Sequence, residues 1–184
     1  LLSEERLMPH FHLSLQAGNN LILKRMKRRH TREQAIDFCN KVLSIKKNAT
    51  FGADIIAGFP TETNEMFYDS LRLIDECNLT HLHVFPYSPR EGTPAERMPQ
   101  VEKNIIKKRA RELRKKGSEK MANYLLKKIG HQDKILIEQI EGSTSKGKDQ
   151  NFIKVKINEK INEGDIVQCI YTDIQNDILL AKRI

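Results

Sequence analysis

The sequence predicts an α/β chain in which about three parallel strands with their helices form part of a (β/α) barrel. A small antiparallel β-barrel of OB-like type follows. Three observations carry this. Apolar strand-like runs alternate with amphipathic helical runs through residue 99. The run GADIIAGFPTET (Gly52–Thr63) ends a buried strand in a Gly-Pro turn that opens a helix. After Gly130 the pattern changes to short, alternating, turn-bounded runs. The expected organisation is a partial barrel over 1–99, a basic linking helix over 100–129, and a small barrel over 130–184.

HFHLSLQ (His10–Gln16) alternates and reads as a strand, AGNN as a turn, and LILKRMKRR as an amphipathic basic helix. Thr31 caps the run TREQAIDFCNKVLSIKK, with Ala35, Ile36, Cys39, Val42 and Leu43 at helical spacing. Ala49–Phe59 reads as a buried strand. Thr61 or Thr63 caps NEMFYDSLRLIDEC, whose Met66, Phe67, Leu71 and Ile74 form one apolar face. THLHVF (Thr80–Phe85) is the third strand. PYSPREGTPAERMP has Pro at four positions and is read as a loop. A long basic helix follows, with Ile106, Ala110, Leu113, Met121 and Leu125 inward. KILIEQIE, NFIKVKI, DIVQCIYTDI and DILLAKR read as strands, with GSTSKGKDQ and NEGD between them.

Charge narrows the partners. The net of +8 lies on residues 100–131, which carry 11 basic and 3 acidic side chains, while 1–99 is nearly balanced at 13 and 12. So local a cluster attracts phosphates, and beside an OB-like barrel it points to RNA. No apolar run is long enough to span a bilayer and no signal pattern opens the chain, so a cytoplasmic location and no membrane partner are expected. Cys39, Cys77 and Cys169 are far apart and odd in number, which reads as buried thiols rather than disulfides or a metal ligand set.

Two loops at strand ends carry the chemistry. Gly58, Pro60 and a Thr-capped helix start, with Asp54 and Glu62 as carboxylates, suit a polar or anionic ligand. On turn chemistry alone they read first as a plain βα turn, with Glu62 favouring the helix dipole. Tyr87, Ser88, Arg90 and Thr93 crowd the second loop, where a fixed Arg suits phosphate or carboxylate. Ser14 and Gln16 share one strand face with His10 and His12. The His-x-His pairs His10/His12 and His81/His83 resemble zinc-binding pairs, but no further ligands complete two sets. They are read as structural histidines, and no metal site is expected.

HFHLSLQAGNNLILKRMKRRHT, DIIAGFPTET and HVFPYSPREGTPAERMPQV together resemble the radical S-adenosylmethionine methylthiotransferases. Within that family they are most similar to the branch acting on threonylcarbamoyladenosine in tRNA. Residues 130–184 are similar to its RNA-binding TRAM barrel. The resemblance implies addition of a methylthio group to C2 of N6-threonylcarbamoyladenosine beside the anticodon. S-adenosylmethionine and two 4Fe-4S clusters are the implied cofactors, tRNA the implied partner. Ser14, Gln16, Arg28, Asp54, Gly58 and Phe59 would line the S-adenosylmethionine pocket, and Tyr87, Arg90 and Thr93 would face the nucleoside. Ala17, Thr61 and His30 depart mildly from the family's usual Ser, Gly and Tyr. Neither cysteine triplet that holds the clusters is present. The chain therefore reads as the C-terminal portion of such an enzyme, dependent on a separate cluster-bearing N-terminal half. A non-catalytic RNA-binding module or decayed remnant is the alternative reading, and a His-x-His metallohydrolase is a third.

Overall fold

The computed structural model describes residues 2–184 and divides into two units, one of Leu2 with Phe11–Lys120 and one of Ser3–His10 with Met121–Ile184. The first unit contains β1 (His10–Gln16) from Phe11 onward, α1 (Asn20–Arg25), α2 (Arg32–Ile45), β2 (Thr50–Ala57), α3 (Asn64–Glu76) and β3 (Leu79–Pro86). The first part of α4 (Lys103–Lys128) completes it. Its sheet has the order β1-β2-β3, with β2 and β3 parallel, Asp54 opposite His83 and Ile55 opposite Val84.

Local chemistry explains where these elements begin. Thr31 and Gln34 form a reciprocal capping box at α2, and the Thr63 hydroxyl accepts the Met66 N–H at α3. Thr61 caps nothing: it takes a positive φ of 70° and bonds the guanidinium of Arg25. Central β2 is almost wholly buried, with Phe51, Ala53, Ile55 and Ala57 packed against Val42, Cys39, Phe67, Leu73 and Ile74. The buried face of α3 is Phe67, Ser70, Leu73 and Ile74, while the expected Met66 and Leu71 are only half-buried. Ser70 is inward because its hydroxyl accepts the Gly18 N–H at 2.9 Å.

The basic helix expected over LILKRMKRR stops at Arg25, as Lys27 enters the left-handed region at φ 56° and the Arg28 N–H returns to the Leu23 carbonyl. The Pro-rich loop after β3 contains one short 3-10 turn, Pro94–Arg97, with Pro94 at its start.

The second unit is a closed barrel of β4 (Gln132–Glu141), β5 (Thr144–Lys148), β6 (Lys154–Ile157), β7 (Ile166–Gln175) and β8 (Ile178–Arg183). Its strand order is β4-β5-β6-β8-β7. Four pairings are antiparallel, and β6 with β8 is parallel, so the barrel is mixed rather than purely antiparallel. β5 lies inside GSTSKGKDQ, read above as a linker. Its alternation is carried by Ser145 and Gly147, small residues that point inward, not by β-branched ones. Leu125 of α4 packs with Ile135, Ile137, Val155, Val167 and Tyr171 in the barrel core.

A buried polar network also stands in this unit. The Asp149 carboxylate accepts from Lys128 Nζ at 2.9 Å, Tyr171 Oη at 2.9 Å and the Asn151 and Ile153 N–H groups at 2.8 and 2.9 Å. Lys128 Nζ also donates to Asp133 and Asn151. A carboxylate with no exposed side-chain surface is tolerated because its lone pairs are all engaged.

Candidate functional site

The sheet ends and the loops that follow β2 and β3 enclose a cavity of about 500 Å³. Its walls include Gln16 from β1, Asp54 and Ile56 from β2, Phe59 from the following turn, and Phe85, Tyr87, Arg90 and Thr93 from β3 and its loop. A second cavity of about 330 Å³ shares Gln16, Ile56, Phe59 and Thr93 and adds Arg25 and Arg28. Of the nine residues expected at a site, six line the first cavity and Arg28 lines the second.

Ser14 and Gly58 are not among the lining residues of these cavities. Ser14 is exposed, and its carbonyl accepts Arg28 Nη2 at 2.9 Å. Gly58 has φ 74°, donates its N–H to Glu62 Oε2 at 2.9 Å, and lies against Ile106, whose Cγ1 would stand 2.5 Å from an added Cβ. Its part is to let the turn close beneath α4.

The turn is fixed by an ion pair that spacing along the chain did not reveal. Arg109 of α4 donates through Nη1 to Glu62 Oε2 and the Glu62 carbonyl, each at 2.9 Å, and through Nη2 to Asn64 Oδ1 at 2.9 Å. Burial pushes the Glu62 carboxyl above its usual range, partly offset by Arg109 and the Gly58 N–H. Glu62 thus braces the loop and does not face the cavity-lining set.

Three side-chain polar atoms are buried without a hydrogen-bond partner among the described residues: Glu62 Oε1 in the turn, Arg28 Nε at the second cavity and Tyr87 Oη at the first. Tyr87 meets Phe59 edge-on at 5.4 Å, and burial raises its phenol, with Glu96 adding to the shift. Unpaired donors at a cavity wall are costly unless a ligand engages them. Arg28 Nε fits the carboxylate of an amino-acid nucleoside such as S-adenosylmethionine, and Tyr87 Oη fits a polar group of a nucleoside. Arg90 is exposed on the rim, and its carbonyl accepts from the Thr93 hydroxyl at 2.8 Å.

One histidine of each His-x-His pair converges on Asp54. His12 Nε2 lies 3.0 Å and His83 Nδ1 3.2 Å from the same oxygen, Asp54 Oδ1. Same-face spacing on two strands was legible, but the carboxylate between them comes from the strand that separates β1 from β3.

Residues 1–74 match the Radical SAM superfamily. The chain is 50% identical over 171 residues to a threonylcarbamoyladenosine tRNA methylthiotransferase of Rickettsia prowazekii, which covers 93% of this chain and 40% of that protein. This chain is a relative of the radical SAM methylthiotransferases. A tRNA-2-methylthio-N(6)-dimethylallyladenosine synthase of Shouchella clausii is 39% identical over 85% of this chain and 30% of its own length. A threonylcarbamoyladenosine tRNA methylthiotransferase of Aquifex aeolicus is 36% identical over 74% of this chain and 34% of its own. The chain thus spans 30–40% of the length of these methylthiotransferases.

The described cysteines do not fit a 4Fe-4S cluster. Cys39 and Cys77 are fully buried in the core beneath the sheet, and Cys169 is fully buried in the barrel. No step through a cluster is derived from this chain's residues.

The basic helix divides into two sets of cations. Arg109 and Lys128 are held in the buried networks above, Lys116 and Lys120 pair with Asp75 at 2.8 and 3.5 Å, Lys115 pairs with Glu119 at 3.9 Å, and Arg114 bonds the Val84 carbonyl. Lys103, Lys107, Lys108, Arg111 and Lys127 are exposed and pair with no carboxylate among the described residues. These five are cations of α4 open to a polyanion. Among the described residues no helix is long and apolar enough to cross a membrane.

Proposed function

We propose that this chain is the C-terminal portion of a cytoplasmic tRNA methylthiotransferase, one that adds a methylthio group to C2 of N6-threonylcarbamoyladenosine. It supplies cavity walls and RNA contacts, and a separate N-terminal half supplies both clusters. One observation carries the reading: half of the aligned residues are identical to a threonylcarbamoyladenosine tRNA methylthiotransferase along 93% of this chain. The unpartnered Arg28 Nε and Tyr87 Oη at the cavity walls support it.

In this reading Gln16, Arg28, Asp54 and Phe59 bind S-adenosylmethionine, which when bound supplies the radical precursor. Phe59 gives an apolar face, Arg28 the charge that matches a carboxylate. Tyr87, Arg90 and Thr93 orient the nucleoside from the opposite loop. The OB-like barrel, assigned as a TRAM domain, and the five open cations of α4 hold the tRNA backbone.

Calorimetry tests the first part. Without cluster iron to chelate its methionyl group, S-adenosylmethionine binds the isolated chain weakly or not at all. Tight one-site binding contradicts the proposal. Retention of tRNA by the chain, without any gain of methylthiolation on adding an N-terminal half, supports the alternative of a non-catalytic RNA-binding module.

A further inference from the structure

We propose that His12, Asp54 and His83 form a binding site for one divalent first-row transition ion. Their ligand atoms all lie within 4.8 Å of one another, two imidazole nitrogens and one carboxylate oxygen from three neighbouring strands. With metal–nitrogen and metal–oxygen bonds of about 2.0–2.2 Å, adjacent ligand atoms stand roughly 2.8–3.1 Å apart around an octahedral ion and roughly 3.3–3.6 Å apart around a tetrahedral one. The two nitrogen–oxygen separations are 3.0 and 3.2 Å, and the rings stand 5.0 Å apart between centroids. Each imidazole therefore already aims its ligating nitrogen at the shared carboxylate.

The donor set selects the class of ion. Calcium and magnesium take oxygen ligands, whereas two imidazoles with a carboxylate suit zinc or ferrous iron and leave positions open for solvent or ligand. Asp54 is also one of the walls of the 500 Å³ cavity, so the site adjoins it. The strand backbone holds the three residues in place, and the side chains are 37%, 27% and 62% exposed for His12, Asp54 and His83, so an ion can enter without unfolding the sheet. The site shares Asp54 with the proposed S-adenosylmethionine pocket, but its argument does not rest on that reading.

Titration of the full chain with zinc alone, followed by calorimetry, and with cobalt, followed by visible absorption, tests the site. One ion per chain is expected. His12→Ala and His83→Ala each weaken binding by at least about tenfold and abolish the cobalt bands. His10→Ala and His81→Ala, the other members of the two pairs, leave affinity within about twofold. Circular dichroism checks folding, and if His12→Ala does not fold, the more exposed His83→Ala decides alone. No binding below millimolar zinc, or unchanged binding in His83→Ala, overturns the site and leaves a hydrogen-bonded cluster only. Affinity for tRNA measured in parallel is expected to be indifferent to zinc, so this outcome and that of the tRNA reading are separable.

Discussion

The guanidinium of Arg109 on α4 is closed onto the carboxylate of Glu62 in the turn after β2, with side chains only 6% and 1% exposed. One helix thereby fixes the loop that shapes the cavity. Removing one partner leaves an uncompensated charge out of water, so Arg109→Met is expected to cost about 3–5 kcal/mol in urea denaturation. Arg109→Lys does not restore it, since a single ammonium cannot serve Glu62 and Asn64 from both arms of a fork.

Gly58→Ala tests the close approach beneath α4. The positive φ and the contact with Ile106 together predict a loss of about 1–3 kcal/mol. In a double-mutant cycle Ile106→Ala relieves the clash but not the backbone strain, so rescue is partial. Full additivity of the two changes would mean the residues are not in contact.

Lys128 predicts a pH limit. Burial alone lowers its ammonium, but the facing Asp149, Tyr124 and the bonds to Asp149 and Asp133 outweigh it and the net shift is upward. Burial, with Asp149, also raises the Tyr171 phenol. Both folded values lie above the unfolded ones. Their contribution is full below about pH 10 and is lost as pH rises through the shifted values. Stability measured by denaturant is expected to be insensitive to these groups at neutral pH and to fall in the alkaline range. Lys128→Met, which strands buried Asp149, is expected to cost about 3–5 kcal/mol at pH 7.

The open cations of α4 predict a salt signature. Lys107→Gln, Lys108→Gln and Arg111→Gln combined are expected to reduce the slope of log affinity for tRNA against log salt by up to about three, at about 0.9 per lost phosphate contact. Lys116→Gln and Lys120→Gln, already engaged with Asp75, change it less. Equal effects from the two sets would contradict the division of the helix.

Local signals were the legible ones. The Thr31 cap, the β2 run and the inward Ile106, Ala110 and Leu113 follow from spacing of a few residues, and all appear in the structure. The Arg109–Glu62 pair joins residues 47 apart, and a charge run does not say which of its members turn inward. β5 was missed because Ser145 and Gly147 fill its inward positions, where a barrel wall needs small residues rather than bulk. His12 and His83 were noticed as members of pairs, but only β2 lying between their strands brings Asp54 to them.

The most direct test is mass spectrometry of nucleosides from tRNA bearing N6-threonylcarbamoyladenosine, incubated with S-adenosylmethionine, a reductant and this chain. One reaction contains the chain alone, and another also contains the cluster-bearing N-terminal portion of a relative. The 2-methylthio nucleoside is expected only in the second. Its formation by the chain alone, or its absence from both, would contradict the account.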